Sequence, residues 1–301
     1  MEKAQVKGHL AAAGAYLIFG FNIIFCKDIA RSDAVSPIVL FTLRAAGALV
    51  LFWLLSFFQP SEKVSRADMA RIALASLLGL FVPQLTFLAA VDMTTSIDTG
   101  MLTVMAPIYT MCFAFLFLGE PISGKKVGGV ALSLFGVILL ILNSVQAADG
   151  VEHTRPLGVV LMIFNGLSFG SYLGAFRPLI SRYRVVTFMK WMFLFSLLYS
   201  LPFSWQGLGA LDWGAMSPRT GWEIAFVILL ATFVAYFLIP IGQKNLRPTL
   251  VSMYSYLQPM IAAGVSIAVG LDRLTWVKIF AAACVFGGVA LVNRSRSASG
   301  S

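Results

Sequence analysis

Charge is what this chain of 301 residues has least of. Asp, Glu, Lys and Arg make up 12% of it, against roughly 25% in a soluble globular domain, and that scarcity excludes a soluble enzyme. Histidine is limited to His9 and His153, both expected near the surface. Cys26, Cys112 and Cys284 fall in apolar stretches without C-x-x-C spacing or a nearby histidine, so neither a disulfide framework nor a zinc site follows. No metal, cofactor or catalytic residue is expected. What the chain has is apolar bulk: 59% hydrophobic residues, 25 Phe, 6 Trp and a mean hydropathy of +0.87. Such a chain would collapse in water, which excludes disorder or a collagen-like state and defines a polytopic membrane protein.

A membrane-spanning helix takes about 20 mostly apolar residues, and stretches near that length occur ten times. They run from Gly8 to Phe25, Ser36 to Phe58, Ile72 to Val91, Ile97 to Leu118, Val127 to Leu142, Leu157 to Phe176, Val185 to Trp205, Trp222 to Gly242, Leu250 to Val269 and Trp276 to Val292. The first is read as a span and not a signal peptide, being too long for an h-region and lacking a small-residue cleavage site. Ten spans put both termini on one side. The net charge of +9 is then a topological signal before it suggests nucleic acid. With the N-terminus inside, fourteen Lys and Arg fall on the cytoplasmic face and six outside, leaving Arg44 and Lys190 within spans. Both termini are expected in the cytoplasm.

The sequence also repeats itself. At an offset of 152, Pro107 falls on Pro259, Glu120 on Asp272, Lys126 on Lys278 and Gly136 on Gly288, with Ser123 matching Thr275 conservatively. At an offset of 150, Gly8 falls on Gly158, Phe19-Gly20 on Phe169-Gly170 and Lys27 on Arg177. Chance explains shared Val, Leu and Ala; it explains proline and glycine less readily. The expected fold is all-α, with ten transmembrane helices in two five-helix repeats of inverted topology. The first repeat takes residues 1–144, a periplasmic linker 145–156, the second repeat 157–293 and a cytoplasmic tail 294–301. Because five is odd, the second repeat enters the membrane from the opposite face, as in secondary transporters that bind substrate at midplane.

Four elements carry a resemblance to a known family. Ile18-Phe19-Gly20-Phe21-Asn22 resembles its aromatic-Gly-x-Asn element, Phe41-Thr42-Leu43-Arg44 its helix-two arginine, and Ala89 to Ser96 its joint between helices three and four. Most specific is Leu118-Gly119-Glu120-Pro121-Ile122-Ser123 ahead of a glycine-rich helix ending in Gly136-Val137. On these the chain is similar to the EamA family of the drug/metabolite transporter superfamily, nearest to YddG-type amino-acid exporters. The resemblance covers nearly the whole chain and implies a multi-pass exporter of the bacterial inner membrane. Gly270 to Thr275 lacks the proline after its acid, and Glu120 and Asp272 are read as helix caps.

Intramembrane charge is expensive and therefore a functional candidate. Arg44 sits eight residues into helix two; a substrate carboxylate, backbone carbonyls or Asp98 would satisfy it, and the resemblance implies the scaffold role. Lys190 lies close enough to the cytoplasmic face to snorkel. Asp98 is read as a helix cap, with ion coupling as the alternative. No acid stands at the centre of a span, so lipophilic cations fit poorly and neutral, zwitterionic or anionic metabolites fit better. Candidate cavity residues are Asn22, Gln84, Thr99, Thr103, Tyr172, Tyr236, Ser255 and Gln258, since polar groups facing lipid would go unsatisfied. For Ser and Thr, hydrogen bonds to their own helix are the competing explanation. Pro83, Pro107, Pro240 and Pro259 interrupt helices three, four, eight and nine and are hinge candidates. Gly128, Gly129, Gly136, Gly287 and Gly288 mark helices five and ten as closely packed scaffold.

The function expected is export of a small metabolite, with a neutral or aromatic amino acid foremost, by alternating access through a cavity between the repeats. A nucleotide-sugar or other solute carrier of the same superfamily is the alternative. A membrane-embedded enzyme is the rival class, disfavoured because no Ser-His or metal-ligand spacing exists. Expected partners are a small-molecule substrate and the lipid bilayer, with no nucleic acid, and the chain is compatible with a monomer.

Overall fold

A computed structural model describes residues 2–91, 93–94, 102–144, 155–214, 216–268 and 275–295. All regular structure among the described residues is helical. The helices are α1 (Glu2–Arg31), α2 (Pro37–Phe57), α3 (Arg66–Ser76), α4 (Val82–Ala90), α5 (Ala106–Leu118), α6 (Gly124–Ser144), α7 (Pro156–Ala175), α8 (Arg177–Arg182), α9 (Val185–Gly209), α10 (Pro218–Ile228), α11 (Ala235–Asn245), α12 (Pro248–Met253), α13 (Leu257–Ala268) and α14 (Trp276–Asn293). A π-helical segment, Leu77–Phe81, joins α3 to α4, and another, Leu229–Val234, joins α10 to α11; a 3-10 turn, Tyr254–Tyr256, joins α12 to α13.

Local chemistry sets the ends. Ser65, Ser217 and Thr275 accept backbone N–H groups from Asp68, Thr220 and Lys278 at the starts of α3, α10 and α14. Proline occupies the first turn of α2, α7, α10 and α12, where its missing N–H costs nothing. Gly119, at φ 65°, closes α5 in the left-handed conformation, and Pro121 follows as a stop. Ser123 Oγ accepts the Lys126 N–H at 3.3 Å at the start of α6. Glu120 is therefore not the cap the sequence suggests: its Oε2 instead pairs with the Lys126 ammonium at 2.7 Å, both groups buried. Asp272 and Asp98 lie outside the described residues.

Among the described residues, seven of the rods are long and apolar enough to cross a bilayer: Lys3–Arg31, Pro37–Phe57, Arg66–Ala90, Pro156–Ala175, Val185–Gly209, Pro218–Asn245 and Trp276–Asn293. Their outer surfaces are apolar. Leu10, Phe57, Phe58, Phe203, Trp205, Trp222 and Trp276 are each over 60% exposed, a surface that water would not tolerate and lipid would. Trp205, Trp222 and Trp276 lie exposed near the ends of α9, α10 and α14, where an interfacial aromatic belt is expected. At the other end, Lys190 lies over the Trp53 ring, 5.0 Å from its centroid. The protein is a multi-pass membrane protein.

Packing runs mostly between the earlier and the later helices. α1 lies against α11 and α13; reciprocally, α7 lies against α4 and α5. α2 packs on α9, and α6 on α14. Glycines mark the close approaches. A Cβ on Gly136 would stand 2.6 Å from the Ala281 carbonyl oxygen, and one on Gly288 would collide with that of Gly129. Likewise a Cβ on Gly20 would meet Ile261 at 2.6 Å, and one on Gly170 would meet Tyr109 at 2.8 Å. Between α6 and α14, Ser133 Oγ donates to the Val285 carbonyl at 3.1 Å.

The end holding the N-terminus is tied by polar contacts. Asp68 accepts from Tyr183 Oη and Arg182 Nη1 at 2.7 Å each. Arg177 Nε donates to the Gln243 carbonyl, and Arg247 donates to the last carbonyls of α14 at Val292 and Asn293. His9 Nδ1 and Tyr254 Oη lie 2.6 Å apart. At the opposite end Arg219 pairs with Asp28 and Glu223.

Candidate functional site

A cavity of about 100 Å³ lies inside the bundle, walled by α1, α2, α4, the approach to α5, α7, α11 and the break between α12 and α13. Asn22, Arg44, Pro83, Gln84, Thr103, Tyr236, Ser255 and Gln258 stand on its wall. So do Tyr16 and Asn165, which sequence pattern does not single out although Asn165 is a mid-span amide of the same costly kind as Asn22. Phe19, Ile23, Phe87 and Phe169 supply apolar surface between them.

Tyr172 belongs elsewhere. Its ring fills the space that a side chain at Gly79 would need, 2.6 Å from the position of such a Cβ, and it is fully buried off the cavity wall. Thr99 and Asp98 lie outside the described residues. Pro107, Pro240 and Pro259 are not on the wall; each lies close to a helical irregularity, as does Pro83. Pro83 follows the first π segment and Pro240 the second, while Pro107 follows a turn at Val104 and Met105, and Pro259 the 3-10 turn.

These breaks expose backbone groups, and neighbouring side chains take them up. In the first π segment the Val82 N–H bonds the carbonyl five residues back, at Leu77. Residue 83 would bond Leu78 in the same register, but proline has no N–H. The Leu78 carbonyl is met instead by Ser168 Oγ at 2.8 Å, and the Pro83 carbonyl by Asn165 Nδ2 at 2.6 Å. In the second π segment Thr232 Oγ1 donates to the Val227 carbonyl at 2.7 Å and accepts from Arg44 Nε at 2.8 Å. The arginine is thus fastened to the π segment rather than to a backbone carbonyl, with Nη1 at 4.0 Å from Cys26 Sγ and Cys26 in turn at 3.4 Å from Asn22 Oδ1.

Other wall groups are buried without partners. The Tyr16 hydroxyl, the Ser255 hydroxyl and both amide atoms of Gln84 make no hydrogen bond; the Gln84 amide stands toward the Tyr236 hydroxyl without meeting bonding geometry. Buried polar atoms left open around a cavity are expected where a polar guest or water completes them. Among the described residues no group of His, Cys, Asp and Glu is placed to hold a metal ion.

A lipid-facing helical bundle around a cavity with open polar groups defines a membrane transporter, and the known proteins most like this chain agree. The model of the EamA-like transporter family matches residues 6–142 and again 156–294, and the chain belongs to that family. It is 22% identical over 95% of its length to the uncharacterized transporter YetK of Bacillus subtilis, covering 87% of that protein. It is 23% identical over 85% of its length to an uncharacterized transporter of Archaeoglobus fulgidus, again covering 87%. One solved crystal structure shares its fold, with a TM-score of 0.73 over 97% of this chain and 96% of the other at 16% identity. That its relatives carry transporter names favours transport over catalysis.

Proposed function

We propose that the protein exports a small metabolite, with neutral and aromatic amino acids as the leading candidates, by alternating access of the central cavity. The observation that carries this reading is the cavity itself. Its wall is contributed jointly by residues 16–106 and 165–258, so any movement of one set of helices against the other reshapes it. Its wall sets amides, hydroxyls and one guanidinium among apolar rings, a lining suited to a small guest with a polar head and an apolar body.

Ten spans in two oppositely inserted halves are part of the same reading. It is supported by the two matches of one family model, by the reciprocal packing of α1 and α7, and by the π segments beginning at Leu77 and Leu229, which stand 152 residues apart like Pro107 and Pro259. In this scheme the polar contacts at the N-terminal end form the cytoplasmic gate, and the four prolines let the wall helices bend. Placement among YddG-type exporters of the bacterial inner membrane, with both termini cytoplasmic, follows from the same resemblance and from the basic loops.

Proteoliposomes loaded with labelled amino acids, sugars or nucleotide sugars test it. Amino acids are expected to exchange, and Asn22→Ala, Gln84→Ala and Gln258→Ala to slow exchange by about tenfold. Silence in every panel, or wild-type rates in all three variants, overturns the assignment.

A further inference from the structure

The geometry points to Arg44 as the residue that fixes a substrate carboxylate, and to a site that reads the acid group of its guest without reading an amine. This rests on the transport reading of the cavity and narrows it to a substrate class. Arg44 is 2% exposed and lies on the cavity wall. Its guanidinium is held by one edge: Nε donates to Thr232 Oγ1, which is itself anchored to the Val227 carbonyl. Nη1 has the distant Cys26 sulfur as its contact, and no carboxylate lies within 4.0 Å of the group among the described residues. A buried cation without a counter-ion is costly, and the cost falls when an anion enters. With Nε held by Thr232, the terminal Nη1 and Nη2 are the pair of donors that a carboxylate can accept in bidentate fashion.

The rest of the wall is formally neutral among the described residues. Asn22, Gln84, Asn165, Ser255 and Gln258 can bond hydroxyl, oxo or amino groups alike, and Phe19 and Phe169 pack on whatever apolar body the guest carries. No described wall residue offers a negative charge to an ammonium. An amino acid, its deaminated acid and a hydroxy or oxo acid of the same skeleton should therefore bind comparably, whereas the decarboxylated amine should not.

The test uses purified full-length protein and three probes of one skeleton: leucine, 4-methylpentanoate and 3-methylbutylamine, each assayed for direct binding and for competition. The expected result is binding of both acids within a few-fold of one another and of the amine about tenfold to a hundredfold more weakly. Arg44→Gln should lose the acids by a similar factor, and Arg44→Lys should recover part of the loss. If Arg44→Gln does not fold, the ranking of the three probes on the wild type decides. An amine that binds as well as the acid, acids that bind Arg44→Gln at wild-type strength, or a wild type that binds none of the three overturns the inference. Exchange of labelled amino acid that persists through any of these outcomes leaves the transport reading standing.

Discussion

Two pairs of helices in this bundle are built on opposite plans. α6 and α14 are unbroken, and along their seam glycine brings backbone against backbone, with Gly136 facing Ala281 and Gly288 facing Gly129. The α3–α4 and α10–α11 rods, which wall the cavity, are each interrupted by a π segment, and side chains bond carbonyls at the breaks, Ser168 that of Leu78 and Thr232 that of Val227. Without a hydrophobic force between helices in lipid, close backbone contact is what holds a seam together. A rod that carries a cavity needs something else: polar side chains turned inward and a ladder that tolerates being broken. The contrast separates a fixed seam from a deformable wall within one fold.

The largest effect that would break this contrast is at the seam. Gly288→Leu places its Cβ where the Gly129 carbonyl already stands and should cost about 3 kcal/mol or more, seen as lost yield and a lower melting temperature in detergent. Thr232→Val comes next, because it strands both the Arg44 Nε–H and the Val227 carbonyl; a loss of about 2–3 kcal/mol is expected from thermal unfolding. Ser168→Ala leaves one carbonyl, that of Leu78, without a donor and should cost about 1 kcal/mol by the same assay. Smallest is Gly128→Ala, on the seam but with its nearest neighbour, Leu291, at 3.7 Å; a change within about 0.5 kcal/mol is expected. Equal losses at Gly128 and Gly288 would dissolve the distinction between touching and merely neighbouring glycines.

The seam and most of the cavity wall are legible in the sequence because both obey local costs. A glycine repeated in an apolar helix signals close approach, and an amide or guanidinium in mid-span must find a partner inside the bundle, which is how Asn22, Arg44, Gln84 and Gln258 reach the wall. Tyr172 misleads for a tertiary reason. It occupies the position matched to Asn22, yet its ring is drawn into the gap left by Gly79, on another helix far away in sequence. The first π segment is equally illegible: it depends on Pro83 lacking an N–H and on the Ser168 donor arriving from a different rod. The Glu120 carboxylate, which the helix-start pattern reads as a cap, is claimed by Lys126, while Ser123 does the capping.

Side-specific labelling of two exposed serines tests the two-halves account most directly. With Cys26, Cys112 and Cys284 replaced by alanine, Ser32→Cys after α1 and Ser181→Cys in α8 would each be treated with a membrane-impermeant maleimide in intact and in inverted vesicles. If the halves are inserted oppositely, Ser32→Cys reacts from outside and Ser181→Cys from the cytoplasm. Reaction of both from one side would contradict it.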